Sequence, residues 1–463
     1  MKAIRMLSFI LIIAAMLLAA CQPAATPTPA QPEPAEPTGV PEETEEPEPV
    51  ETEEPSGIDL TCKGRVRVGL ITDGSGPLAL YGASIIRSFM LGMEYKAGQP
   101  GSAGEVFTLD DRRNIFQMGD CEIEVIVVDD QSNPETTATL ARELIEVDQV
   151  DVLVGTVSSG ATATLQGIAL ENEIPLIVAP AAANDITGVS FNEYTFRTSR
   201  TNYQDAINLC QYMTQNYQTF VQIAPDYNFG WGGAQAFRDA CTFYGGEFVA
   251  EDIFAPATTT DFTPYMEQIL NTDAEAWIVT WAGGGFIPMM QAARDLGVAD
   301  EKEMGTAFID NVSMPAFFAN AVGQTSGILY HYTSPDNPIN DWMVEQTVRR
   351  YGSPPDLFDA DGFNAALFLV ETLQATSGST DPAEMLDAME GMEFEGPKGV
   401  VYIRPEDHVA IQDMYIVRLL NVTDPEFRFY ETLDTTRPEP PCLLPENLVD
   451  RCGDLPVGSL QGE

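Results

Sequence analysis

The sequence predicts an α/β protein built as two doubly wound lobes joined by a multi-strand hinge, and three observations predict it. Strand and helix patterns alternate from residue 65 to 178 and again from 204 to 310, the rhythm of parallel sheets covered by helices on both faces. The apolar runs at 152–154 and 176–178 are short, continuous and β-branched, as strands buried on both faces tend to be. A helical block at 339–351, 360–375 and 382–389, followed by strands at 399–403 and 412–419, breaks that rhythm. The chain therefore returns to the first lobe and then to the second, and its crossings form the hinge.

In order, an alternating strand at 65–71 leads through the turn TDGSGPLALYG to a helix with Ile85, Ile86, Phe89, Met90 and Met93 on one face. Gly74, Gly76 and Ala79 fit a dinucleotide-binding G-x-G-x-x-A, with Glu94 where a ribose-binding acid would lie. Pro77 stiffens that turn and the loop is too long, so a dinucleotide site is not expected. A strand at 123–129 precedes a helix capped by Asn133 with Pro134 at its first position. The second series runs helix 204–214, strand 220–224, helix 233–243, strand 247–254, helix 262–270, strand 277–281, helix 286–296, strand 306–310 and strand 327–332.

The segment 151–184 is where a small ligand would sit. Ser158, Ser159, Gly160, Ala161 and Thr162 follow one strand at the start of a helix. Hydroxyls beside free helix N–H groups suit a carboxylate. Pro180, Ala181, Ala182 and Ala183 follow the next strand and offer backbone and space. In an open α/β sheet both turns lie beyond the carboxyl ends of the strands, where ligands bind.

Composition narrows the function. The 463 residues carry a net charge of −47, from 70 acidic and 23 basic side chains. Such a surface repels phosphate backbones, so nucleic acid is not an expected partner. Lys2 and Arg5 precede an apolar run at 7–18 that ends in Leu-Ala-Ala-Cys21, the layout of an export signal too short to be a membrane span. Residues 22–55 are almost all Pro, Glu, Thr and Ala, with ten Glu and no Lys or Arg. They cannot bury a core, and as a tether would reach roughly 30 Å as coil or about 100 Å as polyproline II. The C-terminal tail begins near residue 441.

Six cysteines remain after Cys21, and in an exported chain they are expected to pair. Fifteen connectivities are possible. The favoured set is Cys62–Cys121, ahead of two neighbouring strands, Cys210–Cys241, on successive helices, and Cys442–Cys452, near the C-terminus. His331 and His408 are the two histidines and lie far apart, so no metal site is expected, and no cofactor. H-E-x-x-H, G-x-S-x-G and P-loop motifs are missing, and Ser159 lacks an obvious base. An enzyme is not expected.

The pieces VRVGLITDGSGPLALYG (66–82), VVDDQSNPETT (127–137), LVGTVSSGAT (153–162), IPLIVAPAAA (174–183), FRTSRTN (196–202) and PDYNFGWGGAQAF (225–237) stand in an order that resembles the type I periplasmic binding proteins. The likeness covers residues 66 to 420 and is to the branched-chain amino-acid receptors of ABC transporters. It implies Rossmann-like lobes, 62–199 with 333–398 and 200–332 with 399–440, closing on a solute so that a membrane permease reads the closure. Leu-Ala-Ala-Cys21 itself resembles the lipobox of bacterial lipoproteins, which implies a lipidated Cys21 and a chain, expected as a monomer, anchored to the outer face of the cell membrane. By similarity, Ser158, Ser159 and Thr162 hold a carboxylate, and Tyr81 lines the side-chain pocket. Asn202 stands where an α-ammonium partner is common, Phe229 falls on a frequent tyrosine, Trp281 is near a second aromatic wall and Asp310 near a buried acid. Ala183 replaces a hydroxyl that usually helps hold the carboxylate, and each such missing bond to a charged group costs about 1.5–3 kcal/mol. With Ala182 and Ala183 as a plain wall, the solute is left open among amino acids, amides and aromatic acids. A membrane sensor with the same fold would close in the same way.

Overall fold

The computed structural model describes residues 55–102 and 112–462. The export signal, Cys21 and residues 22–54 of the tether lie outside the described residues. Two mostly parallel sheets organise the rest, each at the centre of one lobe.

The first sheet has the order β2-β3-β1-β4-β5-β6, from β1 (Val66–Thr72), β2 (Arg113–Met118), β3 (Cys121–Asp129), β4 (Val152–Gly155), β5 (Leu176–Val178) and β6 (Thr195–Arg197). All pairs are parallel except β2 with β3. β1 lies between β3 and β4 and is buried along almost its whole length, which is why its run is apolar on both faces. Helices α1 (Ala79–Ala97), α2 (Pro134–Glu143) and α3 (Ser159–Glu171) cover this sheet. The Asn133 side chain caps α2 by accepting from the N–H groups of Glu135 and Thr136.

The chain then crosses through residues 198–201 into α4 (Asn202–Met213), which starts with a reciprocal Thr201/Gln204 capping box. The second sheet has the order β11-β10-β7-β8, with β9 also on β7. Its strands are β7 (Thr219–Pro225), β8 (Glu247–Phe248), β9 (Ile253–Ala255), β10 (Ala276–Val279) and β11 (Glu303–Gly305). Around them run α5 (Asn228–Phe243), α6 (Thr263–Leu270), α7 (Phe286–Asp295), α8 (Val298–Glu301) and α9 (Met314–Phe317). The strand expected at 247–254 is two short strands, and the one expected at 306–310 lies earlier, at Glu303–Gly305. β12 (Thr325–Ile328) leads back to the first lobe, where α10 (Pro338–Tyr351), α11 (Asp359–Ala375) and α12 (Pro382–Met389) pack. Gly92 of α1 lies so close to Ala366 and Phe363 of α11 that a Cβ there would sit 2.7 Å from the Ala366 side chain.

β13 (Glu393–Gly396), β14 (Gly399–Ile403) and β15 (Ala410–Ile411) form an antiparallel sheet. Val401, Ile403 and Ala410 belong to the same core as β1 and α1. Phe229, Phe308 and Met414 belong to that core as well, so it runs on between the lobes. β16 (Met414–Leu419) pairs antiparallel with β12 and β17 (Tyr430–Thr436).

The bonded pairs are Cys62–Cys121, Cys210–Cys241 and Cys442–Cys452. The last closes a loop in a C-terminal strap that touches both lobes. Arg451 lies over Phe191, 5.0 Å from its ring centre, and donates to the Pro405 carbonyl at 2.7 Å, while the Leu460 N–H donates to Asp239 of α5 at 2.8 Å. Leu443 and Leu460 pack on the core between α4 and α5. Replacing Cys442 and Cys452 by serine should lower stability by about 2–3 kcal/mol through lost loop closure, read as a lower urea midpoint; an unchanged midpoint would mean that the strap is held by its packing alone.

Candidate functional site

The strand order of the first sheet reverses at β1, whose neighbours β3 and β4 lead to opposite sides, so the loops after β1 and β4 part there and leave a crevice. Gly155 ends β4 at φ 139°, and a Cβ there would stand 2.1 Å from the Ile71 carbonyl oxygen, so glycine alone fits. Ser158 follows in extended geometry at the N-cap of α3. The Thr162 hydroxyl donates to the Ser158 carbonyl at 2.9 Å, one turn back. Thr162 therefore fixes the turn from inside and does not face the crevice. Ser159 does face it: its Oγ accepts from the Ala183 N–H at 3.2 Å, which leaves its own proton for another acceptor.

A crevice of about 20 Å³ lies where the lobes meet, room for roughly one water. From the first lobe come Tyr81, Val157, Ser159, Ala182 and Phe358, and from the link between the lobes Arg200. The second lobe supplies Tyr227, Phe229, Ala282 and Phe308. The Tyr81 hydroxyl accepts from the Gly283 N–H at 3.2 Å across the gap, and its ring meets Phe358 edge-on at 5.0 Å. Burial raises the Tyr81 phenol well above its ordinary value, with the Gly283 bond opposing. Phe229 meets Phe308 edge-on at 5.5 Å. Leu78 and Gly283 touch across the mouth, where a Cβ on Gly283 would clash at 2.6 Å.

Arg200 was not singled out from the sequence. It is 2 % exposed, donates from Nη1 to the Pro180 carbonyl at 2.6 Å, and has Nε 3.3 Å from an Asp205 carboxylate oxygen. Its guanidinium stands 5.1 Å from the Phe308 ring centre and 5.0 Å from that of Phe358, a cation between two aromatic faces. The available signal was a basic residue, in so acidic a chain, within the link between the lobes.

Four sequence-predicted residues lie elsewhere. Trp281 is buried in the second-lobe core, edge-on to Phe262 at 5.0 Å. Asn202 is wholly buried behind the crevice beside Asn184 and Gly232, its N–H donating to the Ala182 carbonyl at 2.9 Å. Ala183 backs the wall and contributes its N–H to Ser159. Asp310 holds the next turn, accepting from the Ser313 N–H at 2.8 Å and hydroxyl at 2.9 Å. With Asp356 it lines a separate recess of about 130 Å³ beyond Tyr81. Burial first, then the neighbouring Asp310 charge, pushes the Asp356 carboxyl up to about 7. A larger cavity of about 610 Å³ lies between α4, β11 and β12 and shares no residue with the crevice.

The glycine-rich turn holds no phosphate cradle. Asp73 accepts the N–H groups of Gly76 and Leu78, and Asp129 accepts that of Gly74, so carboxylates already occupy the amides a pyrophosphate would need.

The family model described as periplasmic binding protein matches residues 65–423. The chain belongs to the type I periplasmic binding proteins. Leu/Ile/Val-binding protein homolog 6 of Brucella melitensis is 28% identical over 371 residues, covering 78% of this chain and 88% of that protein. A solved ABC-type branched-chain amino acid transporter protein of Rhodopseudomonas palustris is 33% identical, with a TM-score of 0.64 over 80% of this chain and 96% of its own. A solute binding protein of R. palustris solved with benzoate is 25% identical, with a TM-score of 0.67 over 81% of this chain and 97% of its own. This periplasmic binding protein is thus a solute-binding protein of the ABC-transporter type. The matched segment ends before the C-terminal strap.

Proposed function

We propose that the protein is an extracytoplasmic receptor, anchored through a lipid on Cys21, that captures a small organic carboxylate and presents it as a monomer to an ABC permease. One observation carries the reading: Arg200 and the Ser159 hydroxyl, at the N-terminus of α3, converge on an aromatic crevice that both lobes wall. Ser158 backs this turn, Tyr81 closes the crevice through Gly283, and Phe229 lines its far side. Solute pockets run to about 300–1,000 Å³, so the lobes must part for a solute to enter and close again around it. The crossings at 198–201, 329–333 and 412–413 are the places for that hinge.

A thermal-shift screen of amino acids, amides and aromatic acids tests this. A solute at a hundred times its Kd adds about 2.7 kcal/mol of stability; a flat response across the panel contradicts a receptor. Anchoring is tested by Cys21→Ala, which should move the protein from the membrane fraction to the soluble one.

A further inference from the structure

The residues lining the crevice, all within the described residues, include one cation and no carboxylate. An α-amino acid needs an acceptor for its ammonium group as well as donors for its carboxylate, because a buried unpaired charge is strongly disfavoured. No carboxylate faces the crevice to pair with that ammonium: Asp310 and Asp356 line the recess beyond Tyr81, and the carboxylate of Asp205 stands behind Arg200. Asn202, the other polar group considered for that task, does not line the crevice.

Behind the wall, Arg200 and Lys398 lie within electrostatic reach of Asp205 and Asp361. Burial pushes both of these carboxyls up to about 6 and draws Lys398 down to about 8.

The remaining lining is aromatic. Phe229 and Phe308 stand nearly perpendicular, at 73°, as do Tyr81 and Phe358, at 82°. Such pairs present both faces and edges, the surroundings a flat ring packs into. From these observations we infer that the solute is a monocyclic aromatic carboxylate without an amino group. Arg200 and Ser159 take its carboxylate, and Phe229, Phe308 and Phe358 surround its ring. This deepens the receptor reading and rests on it. Asp205 acts as a positioning residue, holding Nε of Arg200 while Pro180 holds Nη1.

Calorimetric titration of the exported chain with benzoate, benzamide and L-leucine tests the inference. Benzoate is expected to bind at least tenfold more tightly than benzamide, which keeps the ring and loses the charge, and at least tenfold more tightly than leucine. Arg200→Met should abolish the preference for benzoate over benzamide, and Arg200→Lys should keep part of it. If neither variant folds, the comparison of the two aromatic compounds on the unaltered chain decides. Leucine binding more tightly than benzoate, or benzamide matching it, overturns the inference and leaves the receptor reading standing. Silence from these three and from the wider solute panel overturns both.

Discussion

Glu94→Ala should lower the unfolding free energy by about 3–5 kcal/mol, the usual result of breaking a buried ion pair from one side. Glu94 on α1 and Arg350 on α10 meet at 2.5 Å with both side chains shut off from solvent, and Glu94 also accepts from the Gly101 N–H at 2.8 Å. Without the carboxylate, the guanidinium keeps its desolvation cost and loses the Glu94 charge beside it. Urea titration gives the number, and a loss below about 1 kcal/mol would show that the surroundings re-solvate Arg350. The pair joins segments that reach the first lobe from opposite ends of the chain. It also explains why a glutamate stands where a ribose-binding acid was considered: Glu94 is committed to holding α10 on α1.

Acidification should cost the fold about 3 kcal/mol at His331 alone. His331 is buried, with its ring nitrogens 2.7 Å from the Thr333 hydroxyl and 3.0 Å from the Phe427 carbonyl. Burial draws its pKa from 6.5 to about 4, with the Phe427 bond opposing. Above pH 6.5 the imidazole is neutral in both states and costs nothing. Between 6.5 and about 4 the unfolded chain takes up the proton and the folded one does not, so stability falls as pH falls through that window. Burial lowers His408 as well, which adds in the same direction. Asp205 and Asp361, raised by burial, act in the opposite sense, gaining stability as pH falls from about 6. Comparison with His331→Gln separates the effects: the variant should lose about 3 kcal/mol less than the parent between pH 7 and pH 4. Parallel pH curves would rule out a neutral buried His331.

The two lobes were legible because burial on both sides of a parallel strand leaves an uninterrupted apolar run, as at 152–154 and 176–178. Edge strands carry a weaker mark. β17 reads YETLDTT and is largely exposed, so its sequence is that of a polar loop, although it pairs with β16 along its length. The start of α5 was set five residues late because Gly230, Gly232 and Gly233 are poor helix formers. At Gly230 contact demands the residue: a Cβ there would sit 1.8 Å from the Pro225 carbonyl oxygen. That earlier start carries Phe229 to the crevice.

The site was legible where it is local and hidden where it is not. Ser158 and Ser159 follow a strand and start a helix within one short segment, so their placement could be read directly. Arg200 gains its position from Pro180, Asp205, Phe308 and Phe358, which come from separate segments of the chain. Trp281 illustrates the reverse. The family likeness put it near a second aromatic wall, but its ring turns to Phe262 and the core.

Scattering from the exported chain, with and without a saturating solute from the screen, tests the central claim most directly. Closure of two lobes around a solute predicts a smaller radius of gyration when the site is filled. An unchanged radius at full occupancy would contradict it.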